Sequence, residues 1–204
     1  MENEKANNES FDEAQSFQVI NEMIQVSQKK LKNDGILFIL WGWIFFITHF
    51  FCSYLPTIVE LPEGIANFLR SLKLILQLFG FGYTLYYLFY KKKDATTYID
   101  ISLRYVWISL FFSLVLVNVI QYNILHQINF ELQHPIFMVI IGFAIVVTGG
   151  ILRYRMITIG GIIFAVLGFI CSYLPLHQQL LFESIAWVIA FIIPGHILFS
   201  HRNK

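Results

Sequence analysis

Over most of its length this chain has almost no charge. Six stretches of roughly twenty residues are nearly free of Asp, Glu, Lys and Arg, and charged residues make up 13% of the 204. That is about half of what a soluble domain carries. With 57% hydrophobic and 17% aromatic residues, a water-soluble fold of this size could not bury its apolar surface, whereas a bilayer acts as solvent for it. No Lys/Arg tract is long enough for a nucleic-acid footprint, and a net charge of +1 implies no partner of either sign. Catalytic signatures are missing as well. There is no Gly-x-Ser-x-Gly serine, no pair of intramembrane aspartates, no phosphate-binding glycine loop and no Cys-x-x-Cys. The chain is therefore expected to be non-enzymatic, with no cofactor implied. A secretory signal is not visible, because the start is acidic and lacks a basic region and a small-residue cleavage site. Met1 is followed by Glu2, not by the glycine of a myristoylation site. The first apolar span is expected to be retained as its own insertion signal.

What is present divides the chain in two. Residues 1–34 form an acidic head, and residues 35–204 a membrane domain. Within the head, 1–14 has a disordered composition. Phe17, Ile20, Ile24 and Leu31 then fall near helical spacing, with Lys29, Lys30 and Lys32 toward the C-terminal end. That amphipathic helix could lie on anionic headgroups or pack in the cytosol, and Asn33-Asp34-Gly35 closes it as a turn. Crossing ~30 Å of hydrocarbon at 1.5 Å per residue takes ~20 apolar residues. On that criterion the expected fold is an all-α bundle of six membrane helices, at about 36–54, 65–90, 105–124, 135–152, 156–176 and 180–200.

Lys and Arg set the orientation. Lys29, Lys30, Lys32, Lys91, Lys92, Lys93, Arg104, Arg153, Arg155, Arg202 and Lys204 fall in the tails and even-numbered connections, with Lys5 further out. The opposite side has only Arg70 and Lys73, inside the start of a span. The positive-inside rule then puts both termini in the cytoplasm. Tyr83, Tyr86, Tyr87 and Tyr90 suit an aromatic belt at the inner end of the second span.

Residues 42–56 read GWIFFITHFFCSYLP and residues 161–175 read GIIFAVLGFICSYLP, matching at nine of fifteen positions. Spans one and five run the same way, so this is a parallel internal repeat over one span. It suggests three hairpins, the first and third related. Pro56 and Pro175 are each expected to end a helix. The only cysteines, Cys52 and Cys171, occupy equivalent repeat positions; they could pair if the spans meet, or fill space as small hydrophobes.

A polar side chain in hydrocarbon asks for a partner. His49, Lys73, Gln77, Asn118 and Glu183 lie at similar depth below the outer surface, with Gln121 nearer the interface, and are the candidate ligand-pocket residues. If their faces converge, Lys73 or Arg70 could pair with Glu183, with His49 and Asn118 alongside. The alternative is snorkelling cations and ordinary interhelical hydrogen bonds. No metal site is expected. His126, His134 and His177, with Glu60, Glu63 and Glu131, are assigned to outer connections, and their spacing matches no ligand motif. Gly161, Ala165, Gly168, Ala186 and Ala190 read as helix-contact surfaces. Pro194-Gly195 marks a hinge or a helix end.

The chain resembles a family of small six-span bacterial integral membrane proteins with no assigned activity. The likeness lies in INEMI at 20–24, NDGILFILWGW at 33–43, TGG at 148–150, IGGI at 159–162 and IIPGHIL at 192–198. It implies the topology and a bacterial inner membrane, and carries no functional residue over. The expected role is a membrane accessory or regulatory protein, meeting a protein partner through residues 1–34. The alternative is a transporter or binder of a small molecule, ion or lipid in an outward-facing polar pocket. Beyond these the only implied partner is the bilayer.

Overall fold

The computed structural model describes residues 36–87 and 98–200, together with Gln15, Gln18, Val19 and Asn21, which are helical. Apart from those four positions, the acidic head and its amphipathic helix lie outside the described residues, as do Tyr90 and Lys91, Lys92 and Lys93. Helix is the only regular structure among the described residues. From Ile36 to Ser200 they form six helices: α1 Ile36–Ile58, α2 Glu63–Tyr86, α3 Tyr98–Leu125, α4 Phe130–Ile151, α5 Arg155–Cys171 and α6 Leu176–Ser200. Of these, α1, α3, α4 and α6 are long and apolar enough to cross a membrane, and α5 is a shorter apolar helix of 17 residues. On α3, Phe111 and Phe112 are more than 60% exposed, a surface that lipid accommodates and water does not.

Several boundaries differ from the hydropathy reading. Hydropathy marks where a helix is apolar, but hydrogen bonding decides where it ends. Asn129 caps α4, its side chain accepting the Leu132 N–H at 3.2 Å. The helix therefore starts five residues before Pro135 and takes in Glu131, whose charge suits a helix N-terminus. At the other end α4 stops in a Schellman turn. Tyr154 N–H donates to the Gly149 carbonyl at 2.9 Å, and Arg153 N–H to Gly150 at 3.1 Å. Arg153, with φ at 51°, takes the left-handed position that glycine usually fills.

That tight turn lays α5 antiparallel on α4. Gly142 meets Ala165, Gly161 meets Val146, Gly149 meets Thr158, and Gly168 meets Met138 and Val139. A Cβ on Gly161 would stand 2.7 Å from the Val146 nitrogen, and one on Gly142 would stand 2.8 Å from the Ala165 nitrogen. Backbone touches backbone there, and only hydrogen fits. The same principle joins α1 to α6, where Gly42 faces Phe191 and Ile192, and Gly195 faces Ile39. Gly195 is thus a packing position, and α6 continues through Pro194 to Ser200. α2 runs antiparallel to α1, with Gly80 against Ile44 and the Trp41 indole donating to Thr84 Oγ1 at 3.0 Å.

The core lies where α1, α4, α5 and α6 meet. Trp187 stacks on Phe45 with ring centroids 4.1 Å apart and meets Phe164 edge-on at 5.0 Å. Around it Met138, Ile145, Ile157 and Ala190 are fully buried. The connections 59–62, 126–129 and 172–175 share one end of the bundle, since α1 is antiparallel to α6 and α4 is parallel to it.

The repeated CSYLP takes two different conformations. In α5 the helix ends at Cys171, and Pro175 becomes the N-cap of α6. In α1 residues Phe50–Tyr54 wind as a π-helix and the α-helix resumes over Leu55–Ile58, so Pro56 does not end it. Pro56 stands at the start of the resumed α segment, just past the π turn, and its ring, which cannot donate, does not break the helix there. Cys52 is half-buried, Cys171 is buried, and both are free thiols.

Candidate functional site

Glu183 is the polar centre of the bundle. It sits two turns into α6, among residues that pack inward, and is 4% exposed. A charged carboxylate in that setting costs several kcal/mol unless it is partnered. Two imidazoles supply the partners. His49 Nε2 lies 3.1 Å from Glu183 Oε1, and His134 Nδ1 lies 2.6 Å from Oε2.

The register of α1 on α6 brings His49 there. Gly42 lies opposite Ile192, so plain α-helical winding would set His49 beside Ile185. Val188–Ile192 is instead a π-helix, whose wider turn uses more residues over the same length. Glu183 moves up to meet the histidine. On α1 the π segment Phe50–Tyr54 begins just after His49. Both helices therefore carry a π-helical insertion next to the cluster, a placement often found at functional sites.

His134 arrives by a different route. Once Asn129 caps α4, His134 falls on its second turn, facing α6. Pro135 follows and cannot donate to the carbonyl of Glu131. Gln179, 1% exposed on α6, donates to that carbonyl at 3.0 Å and also to Leu174 at 2.8 Å. The freed acceptor on one helix thus becomes a fixed link to the next. Assignment of His134 to an outer connection is corrected by this geometry. The Asn-Phe-Glu-Leu cap ahead of His134-Pro135 was the sequence signal that could have found it.

Of the residues expected to form one pocket, His49 and Glu183 come together. Lys73 does not pair with Glu183; its ammonium donates to Ser53 Oγ at 3.0 Å, one turn along α1 from His49. Ser53 in turn donates to the Thr48 carbonyl at 3.0 Å. Antiparallel packing of α2 on α1 aims Lys73 at that hydroxyl. Gln77 is half-buried one turn further along α2 and is not among the hydrogen-bonding partners of Glu183. Asn118 belongs to the α3–α4 junction, where its Oδ1 accepts from the Gln133 amide at 2.7 Å. Beside it the buried Gln121 accepts the Asn129 N–H at 3.2 Å. These two bonds fasten α3, the least buried of the four membrane-length helices, and do not involve the histidine–carboxylate cluster.

Hydrogen-bond polarity defines what the cluster can hold. His49 Nδ1 lies 2.8 Å from the Phe45 carbonyl, which only accepts, so Nδ1 carries the proton. In neutral His49 the Nε2 atom is then a lone pair directed at a carboxylate oxygen. Two acceptors at 3.1 Å inside a bundle need a cation between them, whether a proton or a metal. His49, His134 and Glu183 each offer one ligand atom, and those atoms all lie within 4.8 Å of one another. The sequence reading expected no metal site. The three ligands come from three helices, so no spacing along the chain reveals them. Scans against protein-family models, curated proteins and solved structures each return no match.

Proposed function

We propose that this protein crosses the bacterial inner membrane six times as three hairpins, with both termini in the cytoplasm. We further propose that it is a non-enzymatic binder or transporter of a small ligand, held by His49, His134 and Glu183 in the outward half of the bundle. The observation that carries this reading is Glu183, 4% exposed with imidazoles at 3.1 and 2.6 Å. Ionisable groups deep in a membrane bundle are costly, and where three helices each contribute one they mark a binding or transport path. Six crossings draw support from α5, whose 17 residues reach about 26 Å, and from α2, which runs antiparallel to a membrane-length helix. Arg153 and Arg155 lie at the end opposite the three shared connections, which supports placing that end in the cytoplasm. A regulatory role would act through residues 1–34, of which only four positions are described; the polar cluster therefore carries the reading.

The test is thermal unfolding of the full chain in mild detergent against a panel of alkali cations, divalent cations and small organic cations. Saturable stabilisation of the wild type by one of them, lost in His134→Ala, is the expected result, because a ligand stabilises the state it binds. A wild-type chain indifferent to the whole panel would refute a binding role. Reporter fusions at both termini and in 126–129 check the crossings, with the termini together and the loop opposite.

A further inference from the structure

The geometry points to a specific occupant: His49, His134 and Glu183 form a three-ligand site for a divalent transition metal of the zinc class, with one coordination position left open. This inference rests on reading the cluster as a binding site, and adds the ligand's chemistry.

Three observations converge on it. The first is the donor set. Two imidazole nitrogens and one carboxylate oxygen suit zinc and its neighbours, whereas magnesium and calcium prefer six or more oxygens. The second is proton placement. Phe45 holds the proton of His49 on Nδ1 at 2.8 Å, leaving Nε2 as a free lone pair on the Glu183 side. A backbone carbonyl on the non-ligating nitrogen is how metal-binding histidines are usually fixed in tautomer and orientation. The third is position. The candidate ligand atoms already lie within 4.8 Å of one another, close to the spacing that bonds of about 2.0–2.2 Å to a shared ion require.

The surroundings fit a bound cation. The Phe45 and Trp187 rings lie 6.0 and 6.4 Å from the His49 ring and wall the cluster on that side. Thr48 Oγ1, 3.5 Å from His49 Nδ1, donates to the same Phe45 carbonyl at 3.1 Å. A divalent ion with one carboxylate carries a residual positive charge, and the Lys73 ammonium lies on Ser53 one turn away along α1. A hydroxide or another anion is therefore the favoured fourth ligand. Three protein ligands plus one exchangeable position is the pattern of a metal that meets a further molecule, not of a closed structural site.

Co²⁺ titration tests this directly. The full chain is purified in mild detergent without a polyhistidine tag, stripped with chelator, and titrated with Co²⁺ while the visible spectrum is recorded. One Co²⁺ per chain with the intense bands of four-coordinate geometry, displaced by Zn²⁺, is expected. Affinity should fall more than about 100-fold in His49→Ala, His134→Ala and Glu183→Gln, beyond the 10–100-fold typical of outer-shell partners. His126→Ala and His177→Ala should bind as wild type. Absence of stoichiometric Co²⁺ or Zn²⁺ binding by the wild type at micromolar concentration overturns the inference without recourse to any variant, so a misfolded mutant cannot obscure the answer. Binding that depends on His126 or His177 overturns it too. If the metal fails but another ligand stabilises the wild type and not His134→Ala, the metal assignment alone falls. If nothing stabilises it, the binding role falls as well.

Discussion

Gly149 and Gly150 are adjacent in α4, chemically identical and at nearly the same depth, yet alanine should have opposite effects at the two positions. A Cβ on Gly149 would lie 2.5 Å from Thr158 Oγ1 and 2.6 Å from the Thr158 backbone nitrogen. The nitrogen cannot swing aside, so α4 and α5 must separate, and overpacking of this kind costs about 1–3 kcal/mol. A Cβ on Gly150 would meet nothing within 4 Å. In both cases alanine improves helix propensity by up to ~1 kcal/mol, less near a helix end. Gly149→Ala should therefore lose about 1–2 kcal/mol net, and Gly150→Ala should be neutral or gain up to ~1 kcal/mol. Unfolding of the detergent-solubilised chain by SDS, followed by tryptophan fluorescence, resolves such a difference. Equal midpoints for the two variants, or a weaker Gly150→Ala, would show that α4 and α5 do not meet through backbone at this level.

Two further outcomes are expected in the same assay. Gln179→Ala strips the donor from the Glu131 and Leu174 carbonyls and should cost about 1–3 kcal/mol. Adding Pro135→Ala should recover part of that loss by returning a helical N–H to Glu131, and strict additivity of the two changes would contradict the coupling. Arg153→Gly should stabilise by up to ~1 kcal/mol, because the φ of 51° is strained for a residue with a Cβ; an unchanged midpoint would mean that the Schellman turn does not persist in detergent.

How much of this was legible in the sequence depends on the scale considered. The helices were readable because uncharged runs of sufficient length have few alternatives, and all six described helices overlap the expected spans. Gly161, Ala165 and Gly168 were readable as a contact face, since small residues spaced by four and seven share one side of a helix. Helix ends were less so, because Asn129 and the Arg153 turn act through hydrogen bonds that hydropathy does not register. Of the candidate site, His49 and Glu183 stood out as ionisable groups inside apolar runs. Their meeting depended on the π-helical segment of α6, which no local rule marks, and on a register set by Gly42 and Gly195. His134 was hidden because the apolar run begins only after Pro135, although the helix begins earlier. Lys73 meets Ser53 and not Glu183 because depth alone says nothing about azimuth.

The backbone contact between α4 and α5 has a mechanical consequence. Two helices joined by a tight turn and touching at backbone level at Gly142, Gly149 and Gly161 have little room to slide or re-pack, so they behave as a single stiff strut. His134 is mounted on that strut. His49 rides on α1 and Glu183 on α6, and the π segment of α6 packs on α5 at Gly160, where a Cβ would stand 3.0 Å from the Ala190 Cα. Any opening of the cluster is thus a movement against a fixed imidazole.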